Sequence, residues 1–124
     1  SQSPVCLVDA DQNFCNTSGW LNLNPTHSLS DLAKSRSGGV DDTLLTQLLT
    51  HHESGLAILY GCHNVEDTVP GGLPPHLWEP LMESLRNKFR TVIIDLPSRN
   101  VDPVHQWLVE QADHVLTVSQ IDVL

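Results

Sequence analysis

Basic residues are scarce in this chain of 124 residues. Six lysines and arginines stand against fifteen aspartates and glutamates, so the formal net charge is -9. So little positive charge is unsuited to sequence-independent binding of nucleic-acid phosphates. It also disfavours a basic helix that lies on a membrane surface. We therefore expect no direct contact with nucleic acid.

Long apolar runs and cysteine motifs are absent as well. No run approaches the roughly 18 apolar residues that a membrane-spanning helix needs, and the first residues do not show the charged-then-apolar pattern expected of a signal peptide. The three cysteines, Cys6, Cys15 and Cys62, show no CxxC spacing, which favours reduced thiols in the cytoplasm over a disulfide framework. The seven histidines have no partners at zinc-site spacing. The hydrophobic fraction of 40% predicts a single packed domain.

Apolar and amphipathic segments alternate along the chain. The apolar segments predict four buried strands, at residues 5–9, 56–60, 91–96 and 115–118. Between them, helices are expected after Ser28, whose capping box is completed by Asp31, and after Asp41.

Two further helices are expected in the second half of the chain. One begins near Pro80, because proline suits a first helical turn. The other follows Asp102, with Pro103 in its first turn. The alternation predicts an α/β fold with a mostly parallel sheet and helices on both faces.

Three acidic residues follow two of the predicted strands. Asp9 and Asp11 come at the end of the first strand, and Asp95 ends the third. Ligands of parallel sheets bind at the carboxyl ends of the strands. If the two strands are neighbours, the three carboxylates lie near one edge of the sheet. Such acids either cap a turn or hold a hard cation such as magnesium and polarise a water for phosphoryl transfer.

A signal receiver domain is one alternative that uses such acids. The chain has the length of a receiver domain. Its residues Asp9 and Asp11, Asp95 and Ser119 imitate the acidic pair, the later aspartate and the later hydroxyl residue of that family. However, Asp95 comes too late after the acidic pair, and no lysine follows it. The receiver interpretation is therefore disfavoured.

Two strand motifs resemble a second family of phosphate-binding proteins. "VCLVDAD" resembles the D-x-D strand, and "TVIIDLPS" the Walker B strand, of MinD/ParA-like deviant-Walker P-loop ATPases. Three ordered segments, "NLNPTHSLSDLA", "LLTHHESGLAIL" and "FRTVIIDLPS", are similar to the TadZ/CpaE pilus-assembly proteins of that superfamily. The likeness runs over nearly the entire chain. It implies a partial P-loop NTPase or Rossmann-like three-layer fold.

The resemblance also implies roles for individual residues. Asp9 and Asp11 match the D-x-D motif, whose second acid helps to place magnesium and the attacking water. Asp95 matches the Walker B acid, which holds magnesium through a water, so Asp11 and Asp95 become magnesium-side residues only when nucleotide is bound. Pro97 and Ser98 fall in the switch segment beside the nucleotide. The implied cofactors are ATP and magnesium.

The resemblance implies a cellular setting too. TadZ/CpaE-like proteins act in the assembly and polar localisation of Flp/Tad (type IVb) pili. A homodimer that contacts pilus secretion components is therefore expected. Its expected location is the cytoplasm, at the cell pole and the inner face of the inner membrane.

The phosphate loop of that family is missing. No G-K-[ST] pattern occurs, and the only lysines, Lys34 and Lys88, lie in or beside predicted helices. Residues 1–124 are therefore expected to form a partial ATPase-like domain, without the phosphate-loop strand and helix before it and the adenine-side segment after it. The family places that missing strand next to the Walker B strand. This chain alone is predicted not to hydrolyse ATP, and a non-catalytic scaffold with a degenerate nucleotide site remains the alternative.

Overall fold

The architecture is a four-stranded sheet with four helices. A computed structural model describes residues 3–11, 23–35, 39–62, 72–97 and 102–121. In chain order the elements are β1 (Ser3–Asp9), α1 (Leu29–Lys34), α2 (Asp42–Leu48), β2 (Thr50–His51), β3 (Ala57–Leu59), α3 (Pro75–Lys88), β4 (Phe89–Asp95) and α4 (Pro103–Gln111).

The sheet confirms the predicted α/β class. Its strand order is β2-β3-β1-β4. β1 runs parallel to both β3 and β4, whereas the short β2 is antiparallel to β3. This mostly parallel sheet with its helices is consistent with a partial three-layer Rossmann-like fold.

β1 and β4 are direct neighbours along their whole length. The register runs from Ser3 opposite Phe89 to Asp9 opposite Asp95. The pairing continues past the strand, since the Ala10 N–H donates to the Asp95 carbonyl oxygen at 3.0 Å. β1 occupies one side of β4, and the further strand that the resemblance places beside the Walker B strand stays a prediction.

One apolar core joins the sheet to all four helices. Cys6 and Val8 of β1 lie opposite Ala57 and Leu59 of β3, and all four side chains are buried. The helices add leucines and aromatics at helical spacing, and these side chains belong to the same core. The core residues that the helices and the start of β4 contribute are Leu29, Leu32, Leu45, Leu48, Leu77, Trp78, Leu81, Met82, Leu85, Phe89 and Leu108.

Three of the predicted helix starts are confirmed. Ser28 is the N-cap of α1, and its N–H donates to the Asp31 carboxylate at 2.8 Å, as in a capping box. The Asp41 carboxylate accepts the Leu44 N–H at 2.7 Å at the start of α2. At α4, the carboxylate of Asp102 accepts the Val104 N–H at 2.8 Å. These contacts satisfy N–H groups that have no partner inside the helix.

The predicted start of α3 near Pro80 is wrong. The helix begins at Pro75, and Pro80 lies inside it. Pro75 has no N–H to leave unsatisfied in a first turn, so it is the better starting residue. An interior proline removes one helical hydrogen bond. Burial of Leu77 and Trp78, which are 7% and 2% exposed, favours the longer helix despite that cost.

The predicted fourth strand at residues 115–118 is also wrong. These residues belong to no strand, and Val115, Leu116 and Val118 are 60%, 90% and 96% exposed. Apolar, β-branched composition favours a strand only where a neighbouring strand and a packing surface exist. Within the described part of the chain the segment has neither.

A short antiparallel return between β2 and β3 was not expected. The His52 N–H donates to the Leu56 carbonyl oxygen at 2.9 Å, and the Gly55 N–H donates to that of His52 at 3.0 Å. Gly55 has φ +93°, which glycine adopts without the strain of a side chain. The tight turn therefore depends on this glycine.

The cysteines differ from the expectation of reduced thiols. Cys6 is free and buried. Cys62 is disulfide-bonded, and its partner lies outside the described residues. The linear spacing of cysteines does not show which of them approach each other, so sequence reasoning missed the bond. Disulfides persist in oxidising compartments, so Cys62 does not support the reducing setting behind the cytoplasmic expectation. None of the described helices combines the length and apolarity needed to cross a bilayer.

Candidate functional site

Three carboxylates meet at the carboxyl edge of the sheet. Asp9 and Asp95 end neighbouring parallel strands and are register partners, and Asp11 follows β1 by two residues. We call Asp9, Asp11 and Asp95 the acidic rim. The structure thus brings together the three acids that the sequence singled out, at the edge where parallel sheets bind ligands.

Asp9 has a structural contact within the acidic rim. Its side chain is 2% exposed, and its Oδ1 atom accepts the Asp11 N–H at 3.0 Å. An aspartate that accepts a hydrogen bond from the backbone two residues later forms an Asx turn. Asp9 therefore holds the turn that places Asp11, which is the turn-capping interpretation of this residue.

Asp11 and Asp95 interact through their charges. Burial raises the pKa of the Asp95 carboxyl above its ordinary value, and the negative charge of Asp11 raises it further. The Oδ1 atom of Asp11 is buried and has no hydrogen-bond partner among the described residues. A buried acceptor without a donor costs free energy. The pair therefore presents an unsatisfied oxygen and a repulsion that a positively charged ligand would relieve.

Tyr60 is a residue of this edge that sequence reasoning missed. It follows β3 and is 1% exposed, and its hydroxyl has no hydrogen-bond partner among the described residues. Burial raises the pKa of the Tyr60 hydroxyl, and the charge of Asp9 raises it further. The sequence signal that could have identified Tyr60 is its polar hydroxyl at the end of an apolar strand. The backbone of Tyr60 contacts the start of α1, because the Leu29 N–H donates to the Tyr60 carbonyl oxygen at 2.7 Å.

The remaining predicted site residues are less informative. Pro97 is half-buried two residues after Asp95. Ser98 lies outside the described residues. Ser119, which the receiver interpretation needed near the acids, lies in an exposed stretch that belongs to no strand. The receiver interpretation therefore gains no support.

The acidic rim is better suited to a magnesium ion that accompanies a nucleotide than to the phosphates of that nucleotide. The described residues include no group of three or more His, Cys, Asp or Glu side chains able to hold a metal ion directly. The orphaned Asp11 oxygen and the charge repulsion between Asp11 and Asp95 do suit a cation held through water.

The triphosphate itself finds no matching cradle in the described part of the chain. Lys88 contacts the Asp42 carboxylate at 3.0 Å, and Arg86 donates to the Gln111 carbonyl oxygen at 2.9 Å. Arg90 lies at the opposite end of β4 from the acidic rim. The described residues therefore do not form a phosphate grip.

Comparison with known proteins adds no family. The chain matches no protein-family model and no curated protein sequence. Any functional assignment therefore depends on the motifs and on the geometry of the acidic rim.

The acidic rim predicts a specific pH dependence. Because the pKa of Asp95 is above its ordinary value of 3.8, folding binds a proton more tightly there, and the stability contributed by Asp95 falls as pH rises through its native pKa. Asp95→Asn should therefore raise the free energy of unfolding at pH 7, by less than about 1 kcal/mol for a partly exposed charge pair. It should also flatten the pH dependence in the acid range.

Urea unfolding between pH 4 and pH 8 measures this effect. Asp113→Asn, at an exposed acid after α4, is the matched control and should leave the profile unchanged. A less stable Asp95→Asn protein at pH 7 would contradict the assigned repulsion between Asp11 and Asp95.

Proposed function

We propose that the chain is part of a MinD/ParA-like ATPase domain and supplies its magnesium-side acids. The parent activity is that of a TadZ/CpaE-like protein, acting in assembly and polar localisation of Flp/Tad pili. The observation that supports the nucleotide assignment is the in-register pairing of β1 with β4, which joins Asp9, Asp11 and Asp95 at one edge. The motifs in "VCLVDAD" and "TVIIDLPS" support the choice of family.

The three acids have different tasks in this proposal. Asp9 fixes the turn after β1 through its bond to the Asp11 N–H. Asp11 and Asp95 present carboxylate oxygens to a hydrated cation, which are the ligands that magnesium prefers. Asp11 and Asp95 would hold a magnesium ion bound with a nucleotide, and the ion would supply positive charge against the phosphates. Without it, the acidic rim repels an anionic ligand.

ATP hydrolysis is not proposed for this chain alone. A phosphate loop needs backbone N–H groups and a lysine that reaches the β- and γ-phosphates. The sequence holds no G-K-[ST] pattern, and its net charge is -9. The chain by itself is therefore expected to bind ATP weakly and to show no turnover.

A non-catalytic hub is the second candidate. The residues ahead of these 124 discriminate between the two candidates. In a longer protein that contains them, a G-x-G-K-[ST] pattern ahead of Ser1 would favour the ATPase. A degenerate loop at that place would favour a scaffold that recruits other pilus components.

Substitution of Asp11 tests the nucleotide site. In the full-length protein, Asp11→Ala should weaken magnesium-dependent ATP binding by about 10–100-fold, the usual cost of losing an outer-shell contact to a metal. Isothermal titration with ATP, with magnesium and with EDTA, measures the affinity, and phosphate release measures turnover. Asp113→Ala is the control, because Asp113 is an exposed acid away from the strands.

Three outcomes decide the matter. Loss of the magnesium dependence in Asp11→Ala, with an unchanged control, supports the proposal. Equal magnesium-dependent affinity and turnover in the wild type and Asp11→Ala would remove the role of Asp11. Failure of the wild type to bind ATP at all would favour the hub.

A further inference from the structure

Tyr60 is a buried polar residue beside the acidic rim to which the proposed function assigns no role. Its side chain is 1% exposed, and its hydroxyl has no hydrogen-bond partner among the described residues. A buried hydroxyl without a partner costs free energy, so an unsatisfied group of this kind in a native fold needs an explanation. Phenylalanine would fill the same space without that cost. A contact that forms only when a ligand is bound is one such explanation.

The sheet register places Tyr60 in line with the acidic rim. Val8 of β1 lies opposite Leu59 of β3, so the next residues along the two strands, Asp9 and Tyr60, are neighbours. Asp9 in turn lies opposite Asp95 of β4. Tyr60, Asp9 and Asp95 therefore form one row across three strands at the carboxyl edge of the sheet. We call these three residues the edge row.

The edge row lies on the face of the sheet that the helices leave to other groups. Successive side chains of a strand point to opposite faces. Val8, Leu59 and Ile94 contribute to the apolar core that the helices share, and each of them is followed directly by one member of the edge row. The polar groups of the edge row therefore share one face, opposite that core.

The Tyr60 hydroxyl and the carboxylates lie within electrostatic range of each other. Burial raises the pKa of the Tyr60 hydroxyl, and the charge of Asp9 raises it further. The Oδ1 atom of Asp9 accepts the Asp11 N–H, and the Oδ1 atom of Asp11 is itself buried without a partner in the described part of the chain. Two orphaned oxygens, one on Tyr60 and one on Asp11, thus adjoin the same buried carboxylate. Such polar atoms suit a bound water or a polar ligand.

We propose that the Tyr60 hydroxyl contacts the hydration water of a cation bound at the acidic rim, so that the cation site extends from β4 and β1 to β3. The inference rests on the proposed function and adds a residue to the same site. Magnesium keeps several of its waters when a protein binds it. The Tyr60 oxygen accepts a hydrogen bond from such a water, while its O–H can still donate to a carboxylate oxygen. Contacts of this kind orient a bound ion and tune its affinity.

The first test follows cation binding without nucleotide. Hexaamminecobalt(III) does not exchange its ammonia ligands, so it mimics a hydrated magnesium ion and binds through hydrogen bonds from those ligands. The chain holds one tyrosine, and a carbon-13 label at the tyrosine Cζ atom therefore gives an NMR signal from Tyr60 alone. The Asp11 N–H signal reports occupancy of the acidic rim. Both signals should shift along one saturation curve, and a Tyr60 signal that does not move would overturn the proposal.

Tyr60→Phe separates a ligand contact from a structural role. The variant should raise the concentration of hexaamminecobalt(III) that half-saturates the Asp11 signal by about tenfold or more. Its midpoint of urea unfolding should equal or exceed that of the wild type, because the substitution removes an unsatisfied hydroxyl. Ser84→Ala is the matched control. The Ser84 hydroxyl donates to the Val40 carbonyl oxygen at 2.9 Å, so its loss should lower the midpoint and leave cation binding unchanged.

The opposite result in Tyr60→Phe would contradict the proposal. A lower unfolding midpoint with unchanged cation binding would mean that the hydroxyl stabilises the fold, for example through a buried water, and has no contact with the ion.

Nucleotide binding in the full-length protein separates this failure from failure of the proposed function. If Asp11→Ala weakens magnesium-dependent ATP binding and Tyr60→Phe does not, the contact of Tyr60 is refuted and the nucleotide site stands. If the NMR signals and Tyr60→Phe respond to hexaamminecobalt(III) as expected but the wild type binds no ATP, the proposed function fails and the contact of Tyr60 with a hydrated cation stands.

Discussion

Replacement of Leu85 by alanine is expected to lower the free energy of unfolding by about 2–5 kcal/mol. Leu85 lies near the end of α3, is fully buried, and belongs to the core that joins α3 to the sheet. Truncation removes apolar contacts and leaves a cavity that the neighbouring side chains fill only in part. Since domains are stable by about 5–15 kcal/mol, the loss is a large fraction of the total.

The same substitution at an exposed leucine provides the matched control. Leu116→Ala, at a side chain that is 90% exposed, should change stability by less than about 0.5 kcal/mol. Urea unfolding at low protein concentration, followed by circular dichroism, gives both values without a contribution from association. Comparable losses in the two variants would mean that α3 does not pack in the core as described.

The positions of β1, β4 and the helix caps were readable because their signals are local, although β4 is more exposed than the buried strand that was predicted. The continuous apolar runs that form β1 and β4 need no knowledge of their neighbours. Asp41 and Asp102 cap the backbone of their own next turn, so sequence distance and spatial distance are the same. Where a local structure depends only on residues adjacent in the chain, the sequence was sufficient to predict it.

The failed predictions depend on contacts between residues that are distant in the sequence. Residues 115–118 have strand composition, yet a strand forms only against a partner edge. The start of α3 depends on the burial of Leu77 and Trp78, and no local rule at Pro80 shows that. The disulfide of Cys62 likewise depends on approach in space. These outcomes are set by tertiary contacts, which outweigh propensities of about 1 kcal/mol or less per residue.

The acidic rim could be predicted from the sequence only in part. That Asp9 and Asp95 end parallel strands was readable from the sequence, and the general rule for strand ends placed them at one edge. The direct pairing of β1 with β4 was not, because strand order is not encoded in any single segment. The division of labour was not readable either: Asp9 holds a turn, whereas Asp11 carries the orphaned oxygen. Tyr60 lies at this edge because β3, which it follows, is the neighbour of β1 in the strand order.

Cys6 is expected to resist alkylation in the native protein. Burial raises the pKa of its thiol to about 12, from an ordinary value of 9.0. The thiolate is the reactive form, so at pH 8 its fraction is about a thousandfold smaller than that of an ordinary thiol. Because Cys6 is also fully buried, iodoacetamide should label it only through opening of the fold. Mass spectrometry of the peptide that contains Cys6 measures the rate.

The control for this experiment is a thiol placed on the surface of the same fold. Gln47→Cys, on the exposed side of α2, should be alkylated at the rate of a free thiol, at least about a thousandfold faster than Cys6. In denaturant without reductant, Cys6 should label fully, whereas Cys62 should label only after reduction because it is disulfide-bonded. Rapid native labelling of Cys6 would contradict the packing of β1 between β3 and β4. Since that pairing brings Asp9 beside Asp95, the acidic rim would then lose its structural basis.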